Sequence, residues 1–309
     1  MALETPIAFC IFNRPELTQK VLAVIAQAKP RRLLVIGDGA RSDRPDEIQL
    51  VSQTREIIKR VNWDCDVQIN YAPQNMGCKK RIATGLDWAF QQSDELIILE
   101  DDCLPDLSFF SYCSELLTKY RDDERVMMIS GDNFQPQPRT SNSYYFSRWA
   151  HIWGWASWRR AWEHFDVDIP TWPLAKANNS LRAAFSSDDE YRGWEPILDR
   201  QFAGEIDTWD FPWQYACWAN HGLSIIPERN LISNIGFGSD ATHTVDPESH
   251  LANRPTTSIG KLDHPKLVLP NHEADQHTLQ QIFGPMLTPH PPVPKPKWYR
   301  RLMPSRKAA

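Results

Sequence analysis

Short apolar runs alternate with longer amphipathic stretches through the first half of the chain. Runs at 5–12 (TPIAFCIF), 33–36 (LLVI), 67–71, 96–99 (LIIL) and 126–130 (VMMIS) end at polar or breaker residues and predict strands. Between the first two, Leu17, Val21, Val24, Ile25 and Ala28 recur at helical spacing, with Pro15 suited to the first turn and Pro30 as the stop. Helices are also predicted over 45–61, with Ile48, Val51, Ile57 and Ile58 facing inward, over 79–92, and over 107–120. This alternation predicts an α/β fold with a parallel sheet covered by helices. The run at 96–99 is apolar at every position, as in a strand buried on both faces.

The second half is less regular and rich in aromatic residues. The stretch 148–162 (RWAHIWGWASWRRAW) is either a helical core stripe or, because Gly154 is flanked by Trp153 and Trp155, a bent segment lining a pocket. A helix interrupted near Gly193 and Pro196 is predicted over 181–202, and a strand over 223–227. Residues 207–218 (DTWDFPWQYACW) set Asp207 and Asp210 among aromatics, and 234–244 (NIGFGSDATHT) reads as a Gly-rich loop carrying His243. From about 265 the chain turns Pro- and His-rich, a partly ordered tail after a domain of 1–264, itself divided into halves at 1–135 and 136–264.

The predicted strand ends carry polar groups on one sheet edge: Asn13 and Arg14, Asp38 in a Gly-Asp-Gly turn, and Glu100-Asp101-Asp102. Open α/β sheets bind ligands at that edge. Adjacent carboxylates repel one another, and a hard cation such as Mg²⁺ or Mn²⁺, completed by water and substrate phosphates, relieves this; a solvated acidic loop is the bland alternative. Lys79, Lys80 and Arg81 open a helix, where basic residues oppose the helix dipole, so they either face an anionic ligand or form a solvated start.

Composition narrows the class. The chain has 309 residues, 41% of them hydrophobic and 24% charged, as in globular proteins, and a net charge of −5 gives no reason to expect nucleic acid. Six Cys without zinc-like spacing look like small buried residues in a reducing compartment, and no N-terminal apolar stretch suggests export, so a cytoplasmic location is expected. The basic segment 295–307 (KPKWYRRLMPSRK) is either disordered or rests on the inner face of an anionic membrane.

Together these residues resemble glycosyltransferases of the GT-A fold, the nucleotide-diphospho-sugar transferase architecture, over about 5–245. The likeness is to the N-acetylglucosaminyltransferase I group and to bacterial family 2-like enzymes. It rests on Asn13-Arg14-Pro15, Gly37-Asp38-Gly39, Asn75-Met76-Gly77 through Arg81, Glu100-Asp101-Asp102, Trp153-Gly154-Trp155 and Trp209-Asp210. The resemblance implies an aromatic-rich acceptor half and metal-dependent sugar transfer from a UDP-sugar to a glycan or glycolipid. It implies Asp102 as metal ligand, with Asp101 and Glu100 beside it. Asn13, Arg14, Asp38 and Trp155 would serve the nucleotide, and Lys79, Lys80 or Arg81 the diphosphate. Asp210, with Asp207 in reserve, would be the base of an inverting reaction. His243 would reach the metal or diphosphate unless it is a surface residue. Two rivals stand beside this reading: a sugar-phosphate nucleotidyltransferase, against which Phe12-Asn13-Arg14-Pro15-Glu16 replaces the expected Gly-rich loop, and a non-catalytic carbohydrate-binding protein.

Overall fold

The computed structural model describes residues 2–238, 246 and 248–284. Its first half follows the predicted alternation: β1 (Ile7–Ile11), α1 (Pro15–Ala28), β2 (Arg32–Gly37), α2 (Pro45–Ile58), β3 (Asp66–Tyr71), α3 (Cys78–Gln92) and β4 (Glu95–Glu100). A short β5 (Cys103–Pro105) then leads to α4 (Ser108–Lys119) and β6 (Val126–Ser130). β7 (Tyr144–Ser147), β8 (Trp155–Trp158), α5 (Arg159–Trp162), α6 (Trp172–Ala177), α7 (Asp188–Phe202) and α8 (Asp210–Ala219) follow. β9 (Leu223–Pro227), β10 (Ile232–Asn234) and α9 (His272–Thr278) complete the set.

Eight strands form one sheet in the order β3-β2-β1-β4-β8-β6-β9-β7, and β10 pairs with β5 beside it. The fold is mixed α/β, a large central sheet flanked by helices. The expectation of a parallel sheet holds for β3, β2, β1 and β4. β8 runs antiparallel between β4 and β6, and β7 antiparallel beside β9. Sequential order could not reveal this, because β8 is inserted from a later part of the chain.

Strands β1, β2 and β4 are buried on both faces, which is why they carry continuous apolar runs. One face packs on α1, α2 and α4, the other on α3 and the Trp155–Trp162–Trp213 cluster. In α2 the buried positions are Glu47, Val51, Thr54, Ile57 and Ile58, while Ile48, expected inside, is 63% exposed. Stretch 148–162 is neither one helix nor one loop: an irregular bend at Gly154 (φ 61°) feeds β8 and then α5. α7 passes through Gly193 and Pro196 unbroken, starting from a Ser187 cap. The expected tail begins with ordered structure, α9 and a π-helical turn at Leu279–Phe283. No helix among the described residues is long and apolar enough to cross a membrane.

Candidate active site

The carboxyl ends of β1, β2 and β4, together with α8 and the segment after β10, wall a cleft of about 1860 Å³. β1 and β4 are paired with Cys10 opposite Glu100, so the chain leaving β1 runs beside the acids leaving β4. The Phe12 N–H donates to Asp101 Oδ2 (3.1 Å). Arg14 donates to Asp102 Oδ2 (2.8 Å) and lies 3.8 Å from Asp101 Oδ1. Burial, and then the Asp102 charge, push the Glu100 and Asp101 carboxyls well above the ordinary range, with Arg14 opposing.

A second contact holds the triplet from the other side. β10 pairs antiparallel with β5, and the Ile235 N–H donates to the Asp102 carbonyl (2.9 Å). Gly236 then lies so close that a Cβ there would fall 2.8 Å from Asp102 Cγ. A Gly at this position lets the loop lie directly on the acid.

Asp38 is buried and fully engaged. It accepts from Gly39 N (2.8 Å), Met76 N (2.9 Å), Gly77 N (3.2 Å) and Asn75 Nδ2 (3.0 Å). Burial raises its carboxyl and these N–H groups oppose the rise. A carboxylate has about four lone-pair sites, so Asp38 fastens loop 75–77 to the end of β2 and has little capacity left for a base. An unanticipated network lies alongside. Glu47, 4% exposed, accepts from Asn13 Nδ2 (2.9 Å), Arg41 N (2.7 Å) and the Arg41 guanidinium.

The three basic residues of α3 separate. Arg81 lines the cleft, but its guanidinium donates to the carbonyl (2.6 Å) and side chain (2.8 Å) of Asn70 on β3. Lys79 and Lys80 do not line the cleft; Lys79 lies 3.6 Å from Asp168, and Lys80 is exposed. At 100° per residue, a helix presenting Cys78, Arg81 and Ile82 to the cleft turns its second and third positions away. Trp155, expected at the nucleotide, is 1% exposed and stacked on Trp209 (5.6 Å, 19°), so it is core. Asp207 and Asp210 both line the cleft; Asp207 is exposed rather than buried, beside Gly77, and Asp210 is half-buried. Asp210 Oδ1 accepts from Thr208 and from Phe211 N (3.0 Å). His243 lies outside the described residues.

The donor set is oxygen only, which suits a hard cation. Among the described residues no group of at least three His, Cys, Asp or Glu forms a ready cage. Asp102 alone fits the mode in which one carboxylate is joined by water and substrate phosphates. Arg14 already holds one of its oxygens.

No family model matches the sequence, and no curated protein is similar to it. Solved structures that it resembles include a UDP-glucose pyrophosphorylase in complex with UDP-glucose. That match has 13% identity and a TM-score of 0.28, and covers 47% of this chain and 62% of that one. An apo UDP-glucose pyrophosphorylase matches at 10% identity over 72% and 90% of the two chains, TM-score 0.35. A 4-diphosphocytidyl-2C-methyl-D-erythritol synthase from Anaerococcus prevotii matches at 11% identity over 67% and 84%, TM-score 0.31.

Proposed function

We propose that the protein transfers a sugar from a nucleotide-diphosphate sugar, a UDP-sugar, to a hydroxyl of a glycan or glycolipid, with inversion. The observation that carries this reading is the convergence of two acidic groups on one cleft. Asp101 and Asp102 leave β4 at the sheet edge, and Asp210 opens α8 close enough for its charge to act on Glu100. The acids at β4 suit the donor diphosphate, and Asp210 suits the acceptor.

In this reading Asn13 and Arg14 border the nucleotide, and the Arg14 guanidinium sits where a diphosphate would arrive. A Mn²⁺ or Mg²⁺ ion held by Asp102 and the phosphates would offset the charge of the departing diphosphate. Asp210 takes the acceptor hydroxyl proton as the new C–O bond forms at the anomeric carbon and the bond to phosphate breaks. Thr208 and the Phe211 N–H hold one Asp210 oxygen and fix the carboxylate's direction.

A second reading is nucleotidyl transfer from a nucleoside triphosphate to a sugar phosphate. The two share a nucleotide subsite and differ in products. Calorimetric titration of UDP with Mn²⁺ and with EDTA, on wild type and Asp102→Ala, tests the shared part; metal-dependent binding lost in the variant is expected. Incubation with UDP-sugars should release UDP, whereas UTP plus a sugar 1-phosphate should yield no pyrophosphate. Pyrophosphate without UDP release would establish the second reading instead.

A further inference from the structure

The eight-stranded sheet ends in β7 on one side and β3 on the other, and the two edges differ. Along β7 runs the segment 263–271. The Asn271 N–H donates to the Phe146 carbonyl (2.7 Å), the Ser143 N–H donates to the Asp263 carbonyl (2.9 Å), and Phe146 bridges Pro270. β3 pairs with β2 on one side and, among the described residues, with no strand on the other. Its Asp66 N–H donates to the Arg31 carbonyl (2.8 Å), and the Ala72 N–H just beyond it donates to the Gly37 carbonyl (2.9 Å). Backbone groups alternate in direction along a strand. The N–H and C=O groups of Val67, Ile69 and Tyr71 therefore turn outward.

Soluble proteins guard such an edge with a mid-strand charge, a proline or a bulge. From Val67 to Tyr71 there is no charge and no proline, and the register with β2 is unbroken. Ile69, at the centre, is 52% exposed. A groove of about 800 Å³ runs beside the strand, lined by Val67, Ile69 and Tyr71 from β3 and by Ile48, Ser52 and Lys59 from α2. Ile48 is 63% exposed.

The surface complements itself in both layers. Antiparallel pairing about a two-fold axis at Ile69 sets Ile69 opposite the partner's Ile69 and Val67 opposite the partner's Tyr71. Gln68 then faces the partner's Asn70 on the other side of the sheet. This register engages every outward backbone group of the three residues, meets apolar with apolar and amide with amide, and brings no like charges together. An axis at Tyr71 would draw in Pro73, which has no N–H, and one at Val67 would leave Tyr71 unpaired. In the helix layer, α2 packs over β2 and β3. Two strand spacings separate that position from its copy, roughly 10 Å, which is the distance at which helices pack. The partner's α2 therefore fills the groove beside Ile48. As the crossover between parallel β2 and β3, α2 runs antiparallel to both, so the axis makes the two helices antiparallel. Asp46 in the first turn of one then lies toward the partner's Arg55 in the last turn, with the helix dipoles opposed.

We propose that the protein forms a two-fold dimer through β3, joining two sheets into one, with the two α2 helices side by side across the axis. A peptide laid on the edge would satisfy the backbone but leave the α2 flank open, whereas a second copy covers both. The two clefts, at the carboxyl ends of antiparallel sheets, open at opposite ends of the dimer and stay accessible. The dimer does not depend on which reaction the cleft performs.

The test is the mass of the full chain by light scattering and sedimentation over a concentration series. Wild type should reach twice the chain mass. Ile69→Lys places two ammonium groups together on the axis and should weaken association at least tenfold, with a melting temperature close to wild type because this side chain is half exposed. Ile69→Glu should do the same. An equal mixture of the two should recover the dimer, since the self-pair on the axis becomes a Lys–Glu pair. Ile48→Glu probes the helix layer with β3 untouched and should weaken the dimer by about fivefold or more; it decides the matter if the Ile69 variants do not fold. A wild type that stays monomeric would leave the edge to a different partner and overturn the proposal. So would a dimer that survives Ile69→Lys, or folded Lys and Glu variants that stay monomeric when mixed.

Discussion

Asp210 and Glu100 are both half-buried carboxylates on the same cleft, and they lead to opposite predictions. Asp210 has its direction fixed by Thr208 and the Phe211 N–H. If it is the base, Asp210→Asn keeps the shape and removes the proton acceptor. Turnover of UDP-sugar with acceptor should fall roughly 10²–10⁴-fold, while calorimetry should find UDP affinity unchanged. A loss of UDP binding would instead place Asp210 on the donor. Glu100 is set by burial beside Asp101 and Asp102, which raises its carboxyl pKa above the ordinary value of 4.5. The folded state therefore binds more protons than the unfolded state from about pH 4.5 upward, and stability falls as pH rises through that window. Glu100→Gln removes this penalty. Thermal melts should show the variant and wild type alike near pH 4.5 and the variant more stable at pH 8.5; equal melting at both values would mean Glu100 carries no such strain.

At the scale of elements, the site depends on pairings distant in sequence. The acid triplet sits at the end of β4, but what lies on it is the segment after β10, brought there by the β5–β10 ladder. Gly236→Ala should displace that segment, since a Cβ would meet Asp102. Metal-dependent UDP binding should weaken by about tenfold or more, with little change in melting temperature because the loop adds little core; unchanged binding would show that the loop yields without moving Asp102. Legibility also differs by element. β1, β2 and β4 were readable because burial on both faces demands continuous apolar runs. In α2, Val51, Ile57 and Ile58 face inward as their spacing predicts; the first turn is not legible, because Ile48 is exposed and the buried position is Glu47, held by Arg41 and Asn13, and no apolar periodicity marks a buried acid. Trp155 is expected at the nucleotide, yet its partners Trp209 and Trp213 come from α8 and its start, and only tertiary structure joins them.

Across the whole molecule, the last described helix determines how the aromatic half closes. The sequence beyond 265 is Pro- and His-rich and shows no apolar periodicity, so α9 could not be read from it. Its hold is polar and buried. Asp275, with a side chain 0% exposed, accepts from Ser147 (2.6 Å) and from the Arg148 guanidinium (3.0 Å), while Trp149 donates to its carbonyl (3.1 Å). Gln135 reaches the same helix through the Ala274 carbonyl (3.0 Å). The π-helical turn that follows places Phe283 on Trp149 (4.7 Å) and Trp194 (5.3 Å) and brings Ile282 and Phe283 to the cleft wall. Asp275→Ala would leave the Arg148 guanidinium on the Ala184 carbonyl (2.6 Å) and Ser186 (2.8 Å), with the Glu190 carboxylate 3.6 Å away, and would take from Ser147 its acceptor. Breaking a buried pair from one side costs roughly 3–5 kcal/mol, so chemical denaturation should show a loss of that order with an unchanged m-value. Because the helix also carries part of the cleft wall, UDP affinity at a temperature where the variant is folded should fall as well. A stability loss below about 1 kcal/mol, the range of an exposed ion pair, would mean that α9 is held by its apolar contacts and that Asp275 is incidental.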